Sequence, residues 1–239
     1  MLLDALFSGD IRSAVISLVF SMPIILLALS LHETAHGYVA YKCGDNTAYN
    51  LGRLTLNPIK HIDPKGFICM LLLGFGWAKP VPINTRNFRN PKRGMALSAL
   101  AGPLANAIMG LISAFLLGFT MAFYYYLAAS GVTGFALTCI SYTSLLFELS
   151  ALYNLVFMAF NLIPIPPFDG SRIAFVFLPP KAYFGIMRYE RQIMFGLLIA
   201  LLLLSRLGFS PFSWIAYELT DAVVGFSWNI FIKIFGFNI

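Results

Sequence analysis

From Gly94 to Phe147 the chain contains no Asp, Glu, Lys or Arg, an uninterrupted interval of 54 residues. A helix needs about 20 apolar residues to cross the hydrocarbon of a bilayer, so this interval is too long for one span and suits two. The turn-prone Ser130-Gly131-Val132-Thr133-Gly134 divides it, and its second half continues past Glu148 to Asn161. Ser13 to His32 is also free of formal charge and provides an earlier span. Ile193 to Leu204 is a fourth candidate. Leu207 to Ile239 is apolar but carries Glu218 and Asp221, which leaves a fifth span and an interfacial helix both open. Composition agrees: 59% of 239 residues are hydrophobic, 11% are charged, and mean hydropathy is +0.80. A soluble domain has about 25% charged residues. The expected fold is therefore an all-α polytopic membrane protein with about 4–6 transmembrane helices.

Gly66 to Ala78 is too short to cross and ends in Gly74-Phe75-Gly76-Trp77. It reads as re-entrant. Arg53-Leu54-Thr55-Leu56 alternates as a strand does, so a short re-entrant β-rich element is expected between the first two core spans. Basic residues crowd positions 42–93 and 170–192, while the turn at 130–134 has no charge. The positive-inside rule places the two basic stretches in the cytosol and the turn outside, in a cell membrane. The chain then enters by the first span, leaves by the second, returns by the third and leaves by Ile193–Leu204. The net charge of +6 fits such a rim and does not call for nucleic acid. Asp4 and Asp10 stand where a signal peptide would be cationic, so the first span is expected to be retained. Cys43, Cys69 and Cys139 form no metal or disulfide spacing and are expected to be buried small residues. One domain, 1–239, is expected, with its core at 12–192 and C-terminal helices at 193–239.

His32-Glu33-Thr34-Ala35-His36 lies at the cytosolic end of the first span. Residues four apart share a helix face, so both imidazoles can reach one metal ion, with Glu33 beside them to take a proton from water. Ionisable groups in a membrane helix normally face a polar cavity. A catalytic zinc has three protein ligands and one open position. Glu148 lies at the wrong depth, and His61 sits in a basic loop as a gating or loop residue. Asp169 is the best placed third ligand. It ends Asn161-Leu162-Ile163-Pro164-Ile165-Pro166-Pro167-Phe168-Asp169-Gly170, where the prolines unwind the third span at the level of the histidines. Irregular backbone at that depth lines a cavity. A plain N-cap role for Asp169 stays open beside that of a ligand.

HExxH in the first core span, Ala101-Gly102-Pro103-Leu104-Ala105-Asn106 and the Asn161-to-Gly170 segment together resemble the site-2 protease family of intramembrane zinc metalloproteases. Residues 31–173 carry the resemblance. Gly52-Arg53-Leu54-Thr55-Leu56-Asn57-Pro58 and His61-Ile62-Asp63-Pro64 look like its compact prokaryotic branch, without PDZ or CBS domains. The resemblance implies one Zn2+ per chain held by His32, His36 and Asp169, with Glu33 as general base and acid. It also places Asn161 near substrate or the oxyanion. Asn161 could equally satisfy carbonyls freed by Pro164 and Pro166. Gly102 and Asn106 form a Gly-x-x-x-Asn suited to close helix approach and an interhelical hydrogen bond. They are expected to act as structural support, as are Pro164, Pro166 and Gly170.

A metalloprotease of this kind would cut peptide bonds in or near transmembrane segments of membrane-protein substrates. Such a substrate must unwind locally, and residues 53–77, with a Pro-rich strand at 163–168, are expected to offer it a strand edge. The alternative is a catalytically silent pseudoprotease that binds membrane clients. The lipid bilayer is the other expected partner. Exposed apolar spans leave room for a homodimer, but nothing in the sequence specifies one.

Overall fold

The computed structural model describes residues 11–73, 76–174, 176–207 and 211–237. Asp4, Asp10, Gly74 and Phe75 lie outside them. In chain order the helices are α1 (Ile11–Lys42), α2 (Thr47–Asn50), α3 (Pro64–Leu73), α4 (Pro91–Ala129), α5 (Phe135–Asn161), α6 (Asp169–Ala174), α7 (Pro180–Met187), α8 (Glu190–Arg206) and α9 (Pro211–Ile234). Among the described residues, three helical stretches are long and apolar enough to cross a membrane: Leu18–Lys42, Pro91–Ala129 and Phe135–Asn161. They overlap the charge-free runs Ser13–His32 and Gly94–Phe147, the first extending ten residues past its run through the HExxH motif. The architecture is thus an all-α membrane bundle, and α4 is its central helix, packed against α1, α5 and α9.

Small residues set these approaches. A Cβ on Gly110 would come within 2.7 Å of Leu155 Cγ, so α5 lies directly on the α4 backbone there. Gly118 plays the same part for α9, whose Ser227 hydroxyl donates to Phe115 O at 2.6 Å. Without a hydrophobic driving force between lipid-immersed helices, close backbone approach and interhelical hydrogen bonds hold them together. α1 and α5 run the same way and α4 runs opposite. Ring contacts give the direction of α9. Phe212 packs on Phe160 at the C-terminal end of α5, with centroids 5.2 Å apart. Further along, Phe235 and Phe237 meet Tyr126 and Tyr125 at 5.1 and 5.0 Å. α9 therefore lies parallel to α4. The expected outward exit through Ile193–Leu204 does not fit this path, because the chain is back at the α5 C-terminal end by Phe212. Twelve apolar residues are short for a crossing. The 24-residue α9 is the helix that runs along α4.

The expected β-rich element is also corrected. Among the described residues there is no sheet, only an isolated antiparallel bridge between Ile62 and Ala78. Arg53–Leu56 is irregular, and the run after Pro64 forms helix α3. Four alternating residues are too few to hold a strand without a partner, and a continuous apolar run of ten or more favours helix. The element still folds back on itself. Lys79 N donates to His61 O at 2.8 Å, and Gly66 has no room for a Cβ against the Trp77 carbonyl. Residues 163–168 form turns, with Phe168 N donating to Ile165 O at 3.1 Å, and not a strand. The Pro166–Pro167 peptide is cis. The cysteines depart from expectation as well: Cys43 and Cys69 are half-buried, and Cys139 is exposed.

Candidate metal centre

One helical turn of α1 sets His32 and His36 on the face that packs on α4, and both are buried. Their Nε2 atoms are 2.9 Å apart. Asp169 Oδ2 lies 3.1 Å from each. The third span ends at Asn161, and the turns containing Pro164 and Pro166 reverse the chain so that α6 begins with its carboxylate over the histidines. Gly170 permits that reversal, since a Cβ there would strike the carbonyls of Leu162 and Ile163. Pro166 is buried and Pro164 exposed.

Hydrogen bonds fix how the imidazoles are protonated. His36 Nδ1 donates to the Ser98 carbonyl at 2.6 Å. For His32 the direction follows from a longer chain. The Ser150 carbonyl can only accept, so the Asn154 amide nitrogen points at it, 2.8 Å away. Asn154 Oδ1 then accepts from Asn106 Nδ2 at 2.9 Å, which leaves Asn106 Oδ1 to accept from His32 Nδ1 at 2.7 Å. Both rings thus carry their proton on Nδ1 and turn an Nε2 lone pair inward. Two lone pairs and a carboxylate oxygen converging within about 3 Å repel one another unless a cation lies among them.

Two histidine nitrogens and one carboxylate oxygen are a zinc donor set. Zinc bonds of 2.0–2.1 Å imply a tetrahedral edge of about 3.3 Å, so these three atoms need only spread by a few tenths of an ångström. The residues fit the metal, and all three line a cavity of about 160 Å3 that could admit water or substrate to it.

The sequence pattern of peptidase family M50 matches residues 20–205, a stretch that contains His32, His36 and Asp169. The chain belongs to peptidase family M50, the site-2 proteases. The M50 chain is 44% identical over 156 residues to YwhC of Bacillus subtilis (strain 168), covering 65% of this chain and 68% of that protein. It is 29% identical over 150 residues to Rip2 of Mycolicibacterium smegmatis (strain ATCC 700084 / mc(2)155), covering 61% of this chain and 52% of that relative. Both relatives carry the name of a zinc metalloprotease. The chain spans about half the length of the second. No solved structure matches it.

The remaining candidate residues sort themselves around this M50 site. Glu33 is half-buried in the metal cleft, and its Oε2 accepts from Val81 N–H at 2.7 Å. Val81 belongs to an irregular segment pinned by the buried Arg53, whose Nη2 donates to Lys79 O at 2.8 Å and Pro80 O at 3.3 Å. Thr34, inside the HExxH motif, donates to Thr55 O at 2.7 Å, and Gly37 leaves room for Leu54 and Val81. Asn161 lines the cleft, with its amide donating to Phe157 O at 3.0 Å on its own helix. That carbonyl is not one freed by the prolines. His61 does not join the cluster of His32, His36 and Asp169: it is 2% exposed and hydrogen-bonded to Thr55 O at 2.8 Å. Glu148 lines a separate cavity with Tyr124 and Trp228. Gly102 does more than let helices approach, because the two imidazoles lie against its α-carbon. Asn154, Ser98 and Val81 were not anticipated. Only Asn154 carried a signal, as an asparagine inside an apolar span, seven residues before Asn161.

Proposed function

We propose that this chain is an intramembrane zinc metalloprotease that hydrolyses peptide bonds in or near transmembrane segments of membrane proteins. The observation that carries the reading is the convergence of His32 Nε2, His36 Nε2 and Asp169 Oδ2, with Glu33 on the same cleft. Zinc bound there supplies a Lewis acid that makes hydroxide available near neutral pH. Glu33 uses one oxygen for the Val81 N–H and has the other free to take the proton of the attacking water and return it to the leaving amine. Asn161 can aim its second amide N–H at the charge that develops on the carbonyl oxygen. The names borne by the two relatives support the same activity.

A substrate span has to give up its helical hydrogen bonds before its carbonyl can be reached. Residues 78–83 favour that step. Prolines at 80 and 82 leave Val81 and Ile83 as the N–H donors of residues 80–83; Val81 gives its N–H to Glu33, so the Ile83 N–H and the neighbouring carbonyls are what this segment can offer an unwound chain. This element takes the place of the 53–77 edge expected from sequence. In a bilayer α9 would make a fourth crossing beside α4, and the metal site would open toward the cytosol, on the side of the basic residues at 42–93.

The test compares metal content and cleavage in one preparation of the full chain in detergent. Wild type should bind one zinc and cut a transmembrane peptide. Glu33→Gln should keep the zinc and lose cleavage by at least 100-fold. Asp169→Ala should lose both. A client-binding pseudoprotease predicts no difference in substrate fate between wild type and Glu33→Gln, and that result would overturn the reading.

A further inference from the structure

A second cavity, of about 310 Å3, adjoins the metal cleft and shares His36, Ile83 and Arg172 with it. The two have opposite characters. The metal cleft is lined mainly by groups that ionise or hydrogen-bond. The side cavity is walled by Ile83, Met95, Ala99 and Met187, from the 81–87 segment, the first turns of α4 and the end of α7. Ala99, 3% exposed, keeps one wall low, and the two methionines can adapt to the shape of what enters. Because His36 belongs to both cavities, the mouth of the apolar one opens at a metal ligand. A peptide laid across the metal with its carbonyl at the open coordination position has one neighbouring side chain beside that mouth. Arg172 stands at the same junction, with its guanidinium in no ion pair among the described residues. It has five N–H donors and no acceptor, so what it can receive from a peptide is carbonyl oxygen.

We infer that the 310 Å3 cavity is the specificity pocket of this enzyme: it takes one large apolar side chain, Leu, Met or Phe, from a residue flanking the scissile bond, while Arg172 holds the peptide backbone. The inference rests on the proteolytic reading and adds the substrate class. A transmembrane segment supplies such residues in abundance, so the pocket selects among positions along a span and discriminates against Gly, Ala and Ser.

The zinc-loaded chain, residues 1–239, is presented with transmembrane peptides varied at the two residues flanking the cut, and products are identified by mass spectrometry. Wild type should prefer Leu, Met or Phe over Gly or Ala at one flank by about 10-fold or more in kcat/KM, the scale on which a hydrophobic pocket discriminates. Ala99→Leu should shrink the pocket and bring that ratio toward one. Met187→Ala, at a half-buried position, should instead raise the relative rate for Phe and Trp, and it carries the test if Ala99→Leu does not fold. Arg172→Gln should raise KM for all peptides alike without changing the ranking. Binding of the same peptides to Glu33→Gln, read by fluorescence anisotropy, gives the ranking without turnover. A flat wild-type profile, or a profile unmoved in Ala99→Leu and Met187→Ala, overturns the pocket. Peptides ranked by size in binding but never cut would leave the pocket standing and overturn the proteolytic reading.

Discussion

Replacing Gly102 with alanine adds one methyl group to the wall of the metal site. That Cβ would lie 2.5 Å from His36 Cε1 and 2.7 Å from His32 Cε1, and closer still to His36 Nε2. Carbon atoms rest about 3.5–4.0 Å apart, so both rings must retreat by about 1 Å. The rings cannot tilt freely, because their Nδ1 atoms are held by Asn106 and Ser98. Metal–ligand bonds tolerate only about 0.2 Å of displacement. Losing a partner behind a ligand typically lowers metal affinity 10–100-fold, and this substitution displaces two ligands directly. Zinc affinity should therefore fall at least 100-fold, about 2.7 kcal/mol. Helix α4 itself should not suffer, since alanine is favoured over glycine in a helix interior by about 1 kcal/mol. The assay is zinc titration against a chromophoric chelator in detergent, with the thermal midpoint of the metal-free protein measured in parallel. Gly225→Ala, where a Cβ meets nothing within 4 Å, is the control. A Gly102→Ala protein that binds zinc within threefold of wild type would refute the placement of the imidazoles against α4.

Three further substitutions probe the supports around the site. Asn154→Leu removes the residue that orients Asn106 and, through it, the His32 tautomer; zinc affinity should drop about 10-fold by the same titration, with helicity by circular dichroism unchanged. Val81→Pro deletes the N–H that tethers Glu33 in a segment already flanked by prolines; cleavage should fall about 10-fold with zinc content unchanged, and equal loss of both would contradict a role confined to Glu33. Asp45 is fully buried and joins the end of α1 to the 84–87 turn, accepting from Asn84 N at 2.7 Å and Asn87 Nδ2 at 2.8 Å. Burial raises its pKa, but the hydrogen bonds from Thr47, Asn84 and Asn87 outweigh this and set it below the ordinary value. Its contribution is therefore fully present above about pH 4 and drains away as pH falls through the lower folded-state value. Asp45→Ala should destabilise by about 2–3 kcal/mol at pH 7 and flatten part of the acid limb of Tm against pH.

Much of the scaffold was legible because it rests on local properties. A 54-residue interval without charge states its solvent directly, and His32 and His36 share a helix face whatever surrounds them. Asp169 was legible through Pro164 and Pro166, which forbid a helix where the third span should continue. The losses were all questions of partnership. Arg53–Leu56 alternates like a strand, yet among the described residues only the isolated Ile62–Ala78 bridge forms, because a strand requires a neighbour that alternation cannot supply. Ile193–Leu204 outranks α9 in local hydropathy, but α9 has Ala216, Thr220 and Ser227 on one face to lie on Gly118 and its neighbours. His61 was read as a loop residue because its loop is basic, while its burial depends on α3 folding back over it.

The polar residues of the spans are better understood together than singly. Asparagine in hydrocarbon is costly unless every donor and acceptor is matched. From His32 the bonds pass to Asn106, to Asn154, and to the carbonyl of Ser150, whose hydroxyl meets that of Ser113 at 2.8 Å. Each link satisfies the one before it, and the chain ends on a carbonyl whose role cannot be reversed. The tautomer of His32 is thus dictated from within the bundle, about two helical turns below the site. That accounts for the spacing of Gly102 and Asn106 on α4: one clears space for the rings, and the other, a turn deeper, aims one of them. Glu148 takes no part in this chain, since it opens on a different cavity beside Trp228. Its carboxyl can therefore be altered without reaching the metal, whereas no member of the His32–Ser150 series can be changed without the neighbouring link losing a partner.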